Sequence, residues 1–375
     1  MPRIALITTS YPDATPGREA AGSFVEDFAL ELARIVDVTV LAVSEADSVE
    51  RDDRLTIRRF AVPRLPLSRL RPGNPIDWPA IVTTLRRGQR ATADMVSADR
   101  PDHILALWAL PSGWWARSTG VPYSTWVLGS DVWILGRVPV IRSVLAGVLN
   151  GAARRFADGI QLGADVERLS ARSCSFLASS RRLPTPRNNS GEHGDRLKLA
   201  FLGRWHPNKG ADLLMQALAS LGDEEWQRID EIRIFGGGPL EELVKKSAHE
   251  LAAAGRPVAS GGYLDKQEAA DLIGWADFLI LPSRIESIPV IFSDAMQLGT
   301  PLIATPVGDL PRLFERYKCG VLADAPTSEG LADALRTALH QDSRSFLPGI
   351  ERARTDFDTR SSARLFLDTI GEPFS

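Results

Sequence analysis

The chain alternates short, unbroken apolar runs with segments whose apolar residues return every third or fourth position. Ile4, Ala5, Leu6 and Ile7 make residues 3–9 a buried strand, and a polar loop with Pro and Gly follows from Ser10 to Gly22. Phe24, Phe28 and Leu32 then mark one face of a helix reaching about Ile35, and 37–43 reads as a second strand. Strand, loop, helix and strand in that order make a unit of parallel sheet. Residues 103–107 and 123–128, each preceded by a proline, read as further buried strands. An open parallel sheet takes its ligand at the carboxyl ends of its strands. Chemistry is therefore expected on the loops after Thr8, Leu107 and Leu128.

The pattern breaks at 181–196, a polar run rich in Pro, Asn and Gly, and restarts immediately afterwards. Strands are expected at 197–202, 231–235, 278–281 and 301–304, and helices at 211–221, 239–254, 289–298 and 328–340. At 375 residues the chain is too long for one compact core, and the restart predicts two successive α/β domains. The first is expected over 1–185 and the second over 197–350, with 186–196 as linker. A C-terminal helix at about 357–375 is a candidate to pack back on the first.

Composition changes this picture little. Apolar residues at 44% and charged residues at 24% fit an ordinary soluble enzyme. The net charge of -3 is unevenly spread: residues 1–196 hold 25 Arg, no Lys and 21 acids (about +4), the remainder 19 cations and 26 acids (about -7). Arginine crowds one stretch: Arg51, Arg54, Arg58, Arg59, Arg64, Arg69 and Arg71, then Arg86, Arg87 and Arg90. Solvated surface is the favoured reading, and a patch for anionic lipid or a phosphorylated acceptor the alternative. Nucleic acid is not an expected partner. Cys174 and Cys319 lie far apart without metal-ligand spacing, so a reducing cytoplasm is the expected setting. The N-terminus shows no signal-peptide core, and 138–148, although apolar, is interrupted by Arg142 and too short to span a membrane. Peripheral contact with the inner face of an anionic membrane stays open. A segment over 138–156, combining Val, Ile and Leu with Arg142, Arg154 and Arg155, is its candidate.

Three constellations carry candidate chemistry. In 201–210 (Phe-Leu-Gly-Arg-Trp-His-Pro-Asn-Lys-Gly) a strand ends in a loop bearing Arg204 and Lys209, and a helix begins near Gly210. A pyrophosphate wants such a pair, a guanidinium that clamps two oxygens and an ammonium that acts as a point charge. In 281–296 an apolar strand leads through Glu286 into a helix whose first turn is expected to contain Pro289, with Asp294 further in. Free N–H groups at that helix start would favour an anion. The turn Gly236-Gly237-Gly238-Pro239 follows a strand but lacks the full dinucleotide fingerprint.

In this order the segments resemble glycosyltransferase family 4, whose α/β fold is GT-B: two facing Rossmann-like domains with a central cleft. The resemblance runs through Pro101-Asp102-His103-Ile104, Trp108-Ala109-Leu110-Pro111-Ser112-Gly113 and Gly129-Ser130-Asp131. It continues through Gly203-Arg204, Lys209-Gly210, Gly236 to Leu240, Gly262-Tyr263-Leu264, Leu281-Pro282-Ser283, Glu286 and Gly299 to Gly308. Residues 45–95 and 137–195 resemble nothing specific. The family implies a retaining transfer from a nucleotide sugar, with the donor held mainly by the second domain. Arg204 and Lys209 then match its diphosphate-binding cations, and Glu286 and Asp294 its paired acids, the first facing the sugar and the second the ribose. Ser287, Ile288 and Val290 supply backbone near the phosphates, and Gly262, Tyr263 and Leu264 lie by the base. Gly22 and Ser23 match the glycine loop approaching the phosphate, and Asp131 lies on the acceptor side. A glycan or lipid-linked acceptor in cell-envelope or exopolysaccharide synthesis is implied.

Three departures stand out. Leu128 occupies a position that is usually His, Asp294 is one methylene shorter than the family's Glu, and Ser287-Ile288-Pro289 replaces Gly-rich sequence. No Asp-x-Asp metal site stands among these motifs, so metal-independent transfer without a cofactor is expected. The alternatives are a non-catalytic glycan- or nucleotide-binding protein and a GT-B sugar-nucleotide epimerase.

Overall fold

In a computed structural model of the chain, residues 2–13, 22–67, 70–187 and 196–371 are described. The chain divides into two compact units, residues 1–181 with 359–375, and residues 182–358.

The first unit is built on eight strands: β1 (Arg3–Thr8), β2 (Asp37–Ser44), β3 (Ser48–Asp52), β4 (Leu55–Ala61), β5 (His103–Leu107), β6 (Tyr123–Val127), β7 (Arg154–Ala157) and β8 (Ser175–Phe176). Their order is β3-β4-β2-β1-β5-β6-β7-β8, and only the β3–β4 pair is antiparallel. The central strands β1, β5 and β6 are buried on both faces, which explains their unbroken apolar runs. Helix Ser23–Ala33 packs Val25, Phe28 and Leu32 inward, and helix Thr359–Gly371 belongs to the same unit. Phe366 of that last helix is fully buried, with Phe28 and Phe156 at ring-centroid distances of 6.0 and 5.7 Å. Burying a ring of this size stabilises by about 1.5–3 kcal/mol.

The arginine-dense stretch is structural in part, and Arg51, Arg71, Arg86, Arg87 and Arg90 are exposed. It forms β3, β4 and helix Trp78–Asp99, and its guanidinium groups tie these layers together. Arg58 grips Asp99 at 2.6 and 2.7 Å, Arg59 meets Glu50 at 2.5 Å, and Arg64 meets Asp77 at 2.8 Å. Arg69 lies outside the described residues. The segment read over 138–156 is not one surface element. Helix Pro139–Gly151 ends before Arg154, which opens β7. Arg155 is buried and donates to the carbonyls of Leu149, Ala152 and Ser173 at 3.1, 2.8 and 2.9 Å, so it cannot reach a lipid headgroup. Arg154 donates to the carbonyl of Thr369 at 3.0 Å.

The second unit holds six parallel strands: β9 (Leu197–Arg204), β10 (Ile229–Gly237), β11 (Val258–Gly261), β12 (Phe278–Leu281), β13 (Leu302–Ala304) and β14 (Gly320–Leu322). The order β11-β10-β9-β12-β13-β14 makes β9 and β12 neighbours, so the loops at their carboxyl ends meet. Helix Val290–Leu298 starts one residue later than the sequence suggested. Pro289 is its N-cap, with an extended backbone (φ -72, ψ 141), and therefore lies outside the first turn. The first part of the breaker-rich run lies along this unit: the Arg187 amide donates to Asp271 at 2.7 Å and Gln267 to the carbonyl of Thr185 at 3.1 Å. Residues 188–195 lie outside the described residues. Among the described residues no helix is long and apolar enough to cross a membrane.

Candidate active site

The carboxyl edge of the second sheet joins two loops that are distant in sequence. After β9 the chain makes a short turn, Pro207–Lys209, and Gly210 enters helix Ala211–Ala219 at φ 70. A Cβ on Gly210 would stand 1.7 Å from the carbonyl oxygen of Pro282, so only glycine lets the loops after β9 and β12 touch. The Arg284 amide donates to the carbonyl of Asn208 at 2.8 Å, and its guanidinium to that of Pro207 at 2.6 Å. The same guanidinium clamps Asp212 at 2.8 and 2.7 Å and holds that carboxyl below the usual carboxylate range.

Within this clasp Lys209 and Glu286 form an ion pair, and Ser283 Oγ also donates to Glu286 Oε1 at 3.0 Å. The lysine side chain is 36% exposed and the glutamate 11%, so the cation is the member a ligand meets first. Arg204, at the end of β9, is exposed, and its guanidinium has no partner among the described residues. Gly308 is pressed on the backbone of Glu286 and Ser287, where a Cβ would come within 2.2 Å of the Glu286 oxygen. The Ser287 carbonyl accepts the Asp309 amide at 3.3 Å, and Ile288 is buried. The helix from Val290 carries no side-chain cap, which leaves first-turn amides to solvent or an anion. Asp294, one to two turns inside, is fully buried. A ribose reaches it only if neighbouring side chains give way.

On the other side of β9, Gly236 (φ 150) lies against Gly203, and the Tyr263 ring closes over Gly237, donating its hydroxyl to the Gly237 carbonyl at 2.8 Å. Tyr263 is nonetheless 70% exposed, and Gly262 and Leu264 flank it at the surface. An aromatic face beside a glycine turn can stack on a nucleobase.

The first unit has its own carboxyl edge. Gly22 (φ 74) presses the start of the Ser23–Ala33 helix on the loop after β1, where a Cβ would meet the Ser10 oxygen at 2.3 Å. Residues 14–21 of that loop lie outside the described residues. Asp131 follows β6 and is buried; its carboxylate accepts the amides of Ala109 at 2.7 Å and Val132 at 3.1 Å. Burial pushes its pKa up to about 6 against the pull of those amides. It ties the loop after β5, where Trp108 sits at φ 64, to the loop after β6, and so shapes the edge from beneath. Among the described residues no group of three or more His, Cys, Asp or Glu could hold a metal ion.

Sequence reasoning missed Arg284 and Asp212 as parts of the site, because each acts on a loop it meets only through the β9–β12 adjacency. Ser283 stood within the Leu281-Pro282-Ser283 motif without a role, and its bond to Glu286 three residues on supplies one.

Residues 196–341 match the family described as glycosyl transferases group 1. The D-inositol 3-phosphate glycosyltransferase of Corynebacterium glutamicum (strain R) is 32% identical over 214 residues, 54% of this chain. That match spans about half (49%) of the relative's own length. The GDP-mannose-dependent alpha-(1-6)-phosphatidylinositol monomannoside mannosyltransferase of Mycobacterium tuberculosis is 27% identical over 382 residues, covering 93% of this chain and 92% of that one. The sucrose-phosphate synthase of Thermosynechococcus elongatus superposes with a TM-score of 0.75 at 18% identity, over 99% of this chain and 98% of the other. HepE of Anabaena, solved with UDP and glucose, superposes at 0.71 and 15% identity over 99% of both chains.

Proposed function

We propose that this chain, which matches the group 1 glycosyltransferases over residues 196–341 and has the GT-B fold, moves a sugar from a nucleoside-diphosphate donor to a hydroxyl of a glycan or lipid-linked acceptor, retaining the anomeric configuration. The observation that carries the reading is the clasped pair Lys209–Glu286, with Arg204 exposed at the end of β9, at the carboxyl edge of a parallel sheet.

The chemistry asks for this arrangement. The bond from the anomeric carbon to the β-phosphate oxygen breaks, and negative charge grows on the leaving diphosphate. Arg204, Lys209 and the amides of Ser287, Ile288 and Val290 are the groups to meet that charge, and preorganised donors act most strongly in the transition state. Without donor, Lys209 and Glu286 neutralise one another. A diphosphate draws the ammonium away and frees Glu286 for the sugar hydroxyls. The acceptor oxygen then bonds to the anomeric carbon on the face the diphosphate leaves, and its proton passes to the leaving phosphate oxygen. No protein nucleophile enters this scheme and no cofactor is consumed. Asp294 is assigned to the ribose, Gly262, Tyr263 and Leu264 to the base, and Gly22 and Ser23 to the phosphate side of the first unit. Asp131 is a positioning residue beneath the acceptor edge.

The two relatives named above make GDP-mannose the first donor to try and inositol-bearing compounds the first acceptors. A cytoplasmic enzyme working at the inner membrane face fits a lipid-linked acceptor. Incubation with GDP-mannose and with UDP-sugars, scored for free nucleoside diphosphate with and without acceptor, tests the reading. Acceptor-dependent release supports it. Binding without release would favour the non-catalytic alternative to which Leu128 and the buried Asp294 point.

A further inference from the structure

We infer that the surface from Ile134 to Val144 in the first unit docks on an anionic lipid surface. After β6 the chain makes a short helix, Ser130–Trp133, a turn, Leu135–Arg137, and then helix Pro139–Gly151. That helix buries Leu145, Val148 and Leu149 against the unit. Away from that buried face Val140 (75% exposed) and Val144 (41%) stand one turn apart on the helix, and Ile134 (66%) and Val138 (46%) are exposed just before it. A helix on a water-facing surface ordinarily carries polar side chains there. Four exposed β-branched apolar side chains between residues 134 and 144 instead call for a cover.

Charge identifies the cover. No Asp or Glu occurs between Asp131 and Asp158. Arg137 and Arg142 flank the valines, both are exposed, and neither side chain has a partner among the described residues. Within the 51–90 stretch, by comparison, Arg58, Arg59 and Arg64 are each paired with an acid, while Arg51, Arg86 and Arg90 are exposed. An apolar strip bracketed by unpaired guanidinium groups suits acyl chains below and anionic headgroups around. A second copy of the same face would set arginine against arginine, so self-association is the poorer match.

Topology gives the face its place. β6 and β7 are parallel, so helix Pro139–Gly151 must run from the carboxyl edge of the sheet back to the other edge. Its first turns, bearing Val140, Arg142 and Val144, therefore lie at the edge where Asp131 braces the loop after β5. Docking there sets that edge against the lipid surface, where a lipid-linked acceptor is held. Only this last consequence rests on the transferase reading, because adsorption is measured without turnover.

Co-sedimentation of the full chain with vesicles of equal parts phosphatidylcholine and phosphatidylglycerol decides the matter. The expected result is binding at low salt that is lost at high salt and absent on pure phosphatidylcholine. Arg137→Glu/Arg142→Glu should weaken partition by at least about fivefold per arginine, the weight of one cation near an anionic surface. Val140→Asp should also weaken it, and Glu50→Gln, on the far sheet edge, should not; melting temperatures identify any variant that fails to fold. No wild-type binding at low salt overturns the proposal, as does binding unchanged in the charge-reversed variant. Dimerisation in the absence of vesicles that Val140→Asp abolishes would also overturn it, assigning the face to a second copy.

Discussion

Arg284 and Asp212 stand 72 residues apart and are joined by two parallel hydrogen bonds of 2.8 and 2.7 Å. With the further bond from Arg284 to the Pro207 carbonyl, this fork locks the loop carrying Lys209 to the loop carrying Glu286. Arg284→Ala is expected to lower kcat/KM for the donor by about 2 kcal/mol, the scale of hydrogen bonds to a charged group. Arg284→Lys should recover little, since an ammonium cannot span both carboxylate oxygens. A double-mutant cycle with Asp212→Asn, read in kcat/KM and in melting temperature, checks the coupling. Fully additive losses would mean the two residues do not act as a unit.

The residues inside the clasp are expected to divide the work of binding and transfer. Glu286→Gln should nearly abolish sugar transfer while leaving nucleoside-diphosphate affinity intact. Arg204→Ala should cost a few kcal/mol, about 3, of transition-state stabilisation, the scale of losing one preorganised donor to developing charge. Lys209→Ala should raise the donor KM and also uncover the Glu286 carboxylate. Steady-state kinetics with diphosphate titrations separates these outcomes, and unchanged kcat/KM in both cation variants removes them from the donor site.

The sequence exposes the strands and the glycine-bearing turns more readily than the site. β5 and β12 fall at the predicted residues because a strand buried on both faces writes an unbroken apolar run. β3 and β4 left no such signal: β3 is the edge strand, β4 lies next to it, and Arg58 and Arg59 look like solvated charge until Asp99 and Glu50 are seen opposite them. Arg204 and Lys209 stand out by type and position as candidate cations for a diphosphate, and Glu286 as a candidate acid for the sugar through the family resemblance. Arg284 was not, because its partner is fixed by strand order rather than by spacing. Arg155 misled for the opposite reason, since a cation following an apolar helix reads as surface although it is buried among carbonyls.

Asp294 is buried and sits where the family carries Glu, so its removal is expected to register twice. Asp294→Ala should weaken nucleoside-diphosphate binding by about 1–2 kcal/mol, one hydrogen bond to a charged group, and lower the melting temperature as well. Calorimetric titration beside thermal unfolding checks both. A destabilised variant with wild-type affinity would make Asp294 a structural acid and remove it from the ribose.

Asp131 and His103 make opposite contributions to stability across overlapping pH ranges. Burial raises the Asp131 carboxyl from 3.8 to about 6, so between those values the native state holds a proton that the unfolded chain has released. Its contribution is fully present below 3.8 and is lost as pH rises through about 6, roughly 3 kcal/mol in all. Burial lowers His103 from 6.5 to about 4, with Nε2 hydrogen-bonded to Ser124 Oγ at 2.8 Å. The stability it confers is present above 6.5 and is lost as pH falls through about 4. The two slopes oppose one another, so the wild-type profile should be nearly flat from pH 4 to 6. Asp131→Asn removes the falling slope and keeps an acceptor for the Ala109 amide. Urea unfolding of that variant should therefore show stability rising with pH across this window relative to wild type. Parallel profiles would mean that the Asp131 carboxylate is ionised throughout, held by its backbone amides more firmly than burial opposes it.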